Sequence, residues 1–272
     1  MVVQTQSSKK EPVKPKIYLI GRSHFHAEDF LSFLRNESTE WHRTPGATEP
    51  EEIVEVSGRV CYMSFGEKQS PRSNGDYIRN LINQGHESVL EHVTWTFLLT
   101  GVSRAFTHQL VRHRVGFAFS QLSQQYHEET AATFVEPAHL QRSPQALKAW
   151  RSAVALSQES YRTILDSLKE LNGTPGLDLQ QKEFKRAIRS AARSVLPNAT
   201  ETKIVMTANA RALRYFFKVR GSIPGDVEMR QVAAALFNAV EAEAPALFAD
   251  FRLDTLSDGS PVLAQRELND NR

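Results

Sequence analysis

The chain has 272 residues, 40% of them hydrophobic, which suits one large domain or two small ones with a real core. Thirty-three Lys and Arg against 31 Asp and Glu leave a formal charge of +2, which is no signature of general polyanion binding and requires any anion site to arise from local clustering. The single cysteine excludes an internal disulfide framework and points to a reducing, cytoplasmic setting, and no apolar run approaches the roughly 18 residues of a membrane helix.

In chain order, MVVQTQSSKKEPVKPK carries lysines with no apolar stretch behind them, and reads as a flexible polar arm over residues 1–15. KIYLIG (16–21) suits a first strand, and HAEDFLSFLRN places Phe30, Leu31 and Leu34 at helical spacing. TEPEEIVEVSGRVCYM begins a helix with Thr48 before Pro50. A further helix over 75–84 is closed by Gly85, and VTWTFLLTGV (93–102) is β-branched and aromatic, as a strand requires. SRAFTHQLVRHR (103–114) is predicted as a helix, followed by an extended segment over 116–121. A long helical pattern runs over 143–171, ended by the NGTPGLD loop, with another helix over 177–195 that could pack against it as a hairpin. ETKIVMTA (201–208) predicts a strand, ARALRYFFKVR (210–220) a helix, and 226–248 a final long helix. LSDGSPVLAQRELNDNR reads as a loose tail. The expected class is α+β: a mixed or antiparallel sheet packed with long helices, without a Rossmann domain. One catalytic domain is expected over 16–252, with the tail at 253–272.

Neither G-x-G-x-x-G nor G-x-x-x-x-G-K-[ST] occurs. His86 and His92 lie six apart, about 240° around a helix, so they share no face and no metal site is expected. Cys61, between apolar neighbours, reads as a small core side chain rather than a nucleophile.

Three stretches concentrate polar chemistry. On a helix, Arg104, His108 and Arg112 form one stripe, with Gln109 and His113 beside it. Arg112, His113 and Arg114 either complement a helix C-terminus or, half-removed from water by apolar flanks, grip an anion. QGHESVLEH (84–92) is either a solvated turn or part of a site. In the third, Asn209 is a candidate cap, and Arg211 and Arg220 bracket Tyr215, Phe216 and Phe217, a patch that fits a core or a cofactor wall.

Together these blocks resemble the flavin-dependent thymidylate synthases. The resemblance rests on Arg112-His113-Arg114 followed by SQLSQQY, with GHESVLEH upstream and ARSVLP (192–197) and NARALRYFFKVR downstream, then Glu228-x-Arg230. It implies a homotetramer with active sites shared between subunits around FAD. The implied reaction methylates dUMP to dTMP, with 5,10-methylenetetrahydrofolate as carbon donor and NADPH as reductant. Carried over by position, Ser88, Arg112, His113, Arg114, Gln121, Asn209, Arg211 and Tyr215 are cofactor-binding. Gln109, Arg112, Gln121, Leu122, Ser123, Gln124, Gln125, Arg193 and Arg220 are substrate-binding, and Arg220 is also catalytic, stabilising an ionised uracil.

This sequence departs from the family pattern at four places. The spacer VGFAFSQL is one residue longer than usual. Gln125 replaces an arginine, Ser190 an acidic residue, and Asp226 a glutamine. Rival readings are a C5-methylase of UMP or another uridylate, and a nucleic-acid-binding module. Near-neutral charge and the lack of a nucleic-acid motif count against the second.

Overall fold

The computed structural model describes residues 13–171 and 180–266. Among the described residues, six strands and eight α-helices follow in the order β1 (Lys16–Arg22), α1 (Ala27–Asn36), α2 (Glu49–Val60), α3 (Asn74–Asn83), β2 (Thr94–Ser103), α4 (Arg104–Leu110), β3 (Phe117–Gln121), α5 (Pro144–Lys169), α6 (Gln181–Ala192), β4 (Glu201–Asn209), α7 (Ala210–Arg220), α8 (Val227–Glu243), β5 (Phe251–Thr255) and β6 (Pro261–Gln265). One sheet has the order β1-β2-β4-β3, and β5 and β6 pair antiparallel as a separate hairpin. This is the α+β class the sequence predicts. Among the described residues no helix is long and apolar enough to cross a membrane.

The helices begin where local chemistry starts them. Thr48 stands at the N-cap of α2, where its backbone N–H donates to the Glu51 carboxylate at 2.9 Å, as in a capping box. Ser73 caps α3 and Asn209 caps α7. Gly85, at φ 71°, ends α3 as predicted.

The chain divides into two compact units. One takes the described parts of Met1–Lys16, Thr100–His108 and Gln121–Lys203. Its core is the seam of α5 and α6, where Tyr161 and Leu165 meet Phe184, Ile188 and Ala192. The two helices do pack together, as expected; the NGTPGLD loop between them lies outside the described residues.

The other unit takes Ile17–Leu99, Gln109–Ser120 and the described part of Ile204–Arg272. Its core is aromatic: Phe217 packs edge-on to Phe237, Phe248 and Phe251, and Trp95 lies against Phe248. A second cluster joins Leu34, Trp41, Val56 and Phe65. The buried charge of Arg59 is matched by Glu55 at 2.7 Å and lies over the Tyr77 ring at 4.4 Å.

Three expectations need correction. The helix predicted over 103–114 covers only Arg104–Leu110; the chain then turns, with Phe117 N–H donating to the Arg114 carbonyl at 3.2 Å, to enter β3 beside β4. Strand pairing takes precedence over helical periodicity there. Residues read as a loose tail carry the β5–β6 hairpin, and Leu263 is buried. Long-range anchors order it: Leu263 N–H donates to the Gly221 carbonyl at 2.9 Å, and Arg230 reaches the Pro261 carbonyl and the Ser260 hydroxyl. Cys61 is exposed rather than in the core, its thiol against the Ser57 carbonyl at the end of α2.

Candidate active site

The turn after α4 and the length of α7 build one wall each of a cavity of about 680 Å³. That volume lies within the range of small-molecule sites, roughly 300–1,000 Å³. Arg112, His113, Arg114 and Phe117 line it from the turn and β3, Asn209 from the end of β4, and Arg211, Tyr215, Lys218 and Arg220 from α7. Glu87 and Glu91 contribute from the short 3-10 helix Glu87–His92, and Gln265 from β6.

Gly116 brings the turn this close to α7. Its φ is 74°, and a Cβ there would stand 2.7 Å from both the Ala212 Cβ and the Asn209 amide nitrogen. The Gly116 carbonyl accepts from the Asn209 N–H at 3.0 Å, while Asn209 Oδ1 caps α7 through the Ala212 N–H at 2.8 Å. Asn209 is thus cap and cavity wall together, with its amide N–H groups left as donors.

Helical phase divides the aromatic patch. Phe216 and Phe217 are fully buried, whereas Tyr215 is 59% exposed in the cavity wall. The core reading holds for Phe216 and Phe217, and Tyr215 faces the cavity.

The charge arrangement is uneven. Arg211 is paired with Glu91 at 2.6 Å and Glu87 at 3.5 Å, and the Glu91 hydrogen bond holds its pKa up. Arg214 is buried against Asp250, with bonds of 2.6 and 2.7 Å, and Gln265 donates to the same carboxylate. Among the described residues, Arg112, Arg114, Lys218 and Arg220 form no ion pair with a carboxylate. Unpaired cations around a concave wall make an anion-binding surface. Arg220 Nε donates instead to His113 Nε2 at 3.1 Å. Burial depresses the His113 pKa, and the Arg220 charge lowers it further.

Of the other predicted residues in this unit, Gln109 donates to Asp226 at 2.8 Å, and Asp226 also caps α8 through the Met229 N–H. Ser88 is exposed on the 3-10 helix between Glu87 and Glu91.

Gln121, Leu122, Ser123, Gln124, Gln125 and Arg193 belong to the unit built on α5 and α6. Gln121 donates to the Thr107 hydroxyl at 3.1 Å, and Leu122 N–H to the Lys203 carbonyl at 2.9 Å. Gln125 donates to the Ser190 hydroxyl on α6 at 3.0 Å. The loop is held further along: Arg189 grips Glu128 at 2.9 Å and the Tyr126 carbonyl, while Glu129 is held by Tyr161 and Gln158. Arg193 caps the C-terminal end of α6.

Arg104 was not among the predicted site residues. It donates to the Leu122 carbonyl at 2.9 Å, and its buried Nε has no partner. Burial lowers its pKa most, Glu129 opposes that, and Arg193 adds to it. Gln124, 6% exposed, also has an unpartnered amide nitrogen. Arg104 lay on the stripe read from the sequence, but its burial comes from the loop folding over it. Among the described residues no group of three or more His, Cys, Asp or Glu is placed to hold a metal ion.

Comparison with known proteins agrees with this layout. The family model described as thymidylate synthase complementing protein matches residues 45–246. The flavin-dependent thymidylate synthase of Mycobacteroides abscessus is 43% identical over 213 residues, covering 77% of this chain and 83% of that protein. The enzyme of the same name from Corynebacterium efficiens is 38% identical over 263 residues, covering 96% and 99%. A cationic, aromatic-walled cavity carried by the Arg-His-Arg turn, within a match of this extent, identifies the chain as a member of the flavin-dependent thymidylate synthase family.

Proposed function

We propose that the chain methylates C5 of dUMP to give dTMP, with 5,10-methylenetetrahydrofolate as carbon donor and NADPH as reductant, and that the cavity between the Arg-His-Arg turn and α7 holds FAD. The observation that carries this reading is the set of unpaired cations, Arg112, Arg114, Lys218 and Arg220, on walls that also bear Phe117 and Tyr215. The donor set fits a dinucleotide: two phosphates need cations, and a fused ring needs planar apolar surface.

Arg112, His113, Arg114, Asn209, Arg211 and Tyr215 are the residues we assign to the cofactor, with Ser88 and Gln121 as further contacts. Bound flavin supplies hydride-level redox chemistry, and the protein supplies position and charge. Arg220 is assigned to the uracil ring, where a fixed guanidinium stabilises the charge that develops as C5 becomes nucleophilic. Gln109, Arg112, Gln121, Leu122, Ser123, Gln124, Gln125 and Arg193 are assigned to the nucleotide. The unpartnered donors of Arg104 and Gln124 support an anionic ligand in their unit.

The deciding experiment is tritium release from C5-labelled dUMP with methylenetetrahydrofolate and NADPH, run beside labelled UMP. Release from dUMP alone supports the reading. Release from UMP alone moves the assignment to ribonucleotide methylation, and no release from either overturns it.

A further inference from the structure

The bond between Arg220 and His113 fixes a protonation state. A guanidinium has only donors, so Arg220 Nε donates at 3.1 Å and His113 Nε2 accepts with a lone pair. The imidazole is therefore neutral, with its single N–H on Nδ1. The surroundings favour that form. Phe216 meets the ring edge-on at 5.3 Å, with Phe117 and Tyr215 at 5.8 and 6.3 Å. Half-burial and the neighbouring guanidinium both push the pKa down.

We propose that His113 is the positioning residue of Arg220: its neutral Nε2 anchors the inner nitrogen of the guanidinium, so that the two terminal amino groups are presented to the ligand in a fixed direction. This rests on the uracil-facing role assigned to Arg220 above. The rotamer freedom of a long side chain is removed in advance, which is how a preorganised charge avoids reorganising during reaction.

Protonation of His113 would turn its acceptor into a donor and set two cations side by side. The charged and titratable groups around the ring are Arg112 and Arg114 on its own turn, and Tyr215, Lys218 and Arg220 on α7; β3 presents Phe117. Across the cavity, Glu87 and Glu91 are engaged by Arg211, and Asp250 by Arg214. Among the described residues, no free carboxylate lines the cavity to stabilise an imidazolium. The folded pKa thus lies below the ordinary value of about 6.5. The stability contributed by neutral His113 is complete above about pH 6.5 and lost as pH falls through the folded pKa. Turnover falls over the same acid window.

Histidine C2-hydrogen exchange, followed by mass spectrometry across pH, reports the titration of His113 without any cofactor. Its midpoint should lie below the free-histidine value in the wild type and move upward in Arg220→Leu. A midpoint that does not move overturns the anchor. The second measurement is kcat against pH at saturating FAD. His113→Gln offers an oxygen acceptor that does not titrate and should flatten the acid limb. His113→Ala should lower kcat, and adding it to Arg220→Ala should bring no further loss. An acid limb retained in His113→Gln, or additive losses in the double variant, refutes the positioning role. Full turnover in Arg220→Ala would instead refute the assignment of Arg220 itself, with the exchange result still reporting the pair.

Discussion

Arg220 is the last residue of α7, a helix that Phe216 and Phe217 bury against the core, so its guanidinium leaves a rigid element at the cavity wall. Arg220→Ala should retain bound flavin and lose turnover by about 10²–10³, as expected for removing a charge that meets a developing anion. Near-normal dUMP conversion in that variant would rule the role out. At Gln125 the structure changes the reading. The sequence marked Gln125 and Ser190 as separate departures from the family pattern, yet they form one hydrogen bond of 3.0 Å. A neutral pair stands where two charges of opposite sign are usual. Gln125→Arg alone should tighten dUMP by about tenfold, the difference between charged and neutral hydrogen bonds. Adding Ser190→Glu should cancel the gain, because the new carboxylate engages the new cation. Titration of the flavin spectrum with dUMP measures both. Equal affinities in the two variants would mean that the loop residue does not face the nucleotide.

Among the elements, the Arg-His-Arg turn depends on Gly116. Its positive φ and the 2.7 Å approach of a would-be Cβ to Ala212 and Asn209 leave no room for a side chain. Gly116→Ala should destabilise the fold by about 1–3 kcal/mol. It should also lower flavin content, since the turn must move from α7. Denaturant unfolding and bound-flavin absorbance test the two effects, and a fully stable yellow variant would contradict the account. Elements with strong local signals were legible: the helix start at Thr48, the Asn209 cap and the strand at 201–208 all occur as predicted. The α4 end was not, because nothing in VRHR itself announces that β3 will pair beside β4.

For the whole molecule, the predicted substrate residues divide between two compact units, with Gln124, Gln125 and Arg193 in one and Arg112 and Arg220 in the other. The shared active site implied by the sequence resemblance can be tested through this division. Co-expressing Arg220→Ala with an Arg193→Ala chain should restore part of the activity that each lacks alone if different subunits furnish the two sets. Light scattering should show a tetramer. No recovery in mixed tetramers, or an active monomer, would sink the shared-site model.

By itself the sequence determined the α+β class, the family, most element positions and the identity of the cationic cluster, because caps, periodicity and adjacent arginines are local signals. Only the tertiary structure decided which cations are left unpaired. Arg211 and Arg214 are as cationic as Arg112 in sequence, but Glu87, Glu91 and Asp250 neutralise them from 124, 120 and 36 residues away. It likewise decided that the C-terminal stretch is a hairpin, that Gln125 meets Ser190, and that His113 is the acceptor of Arg220. Each of these depends on a partner distant along the chain, and a partner's identity is set by packing rather than by neighbouring residues.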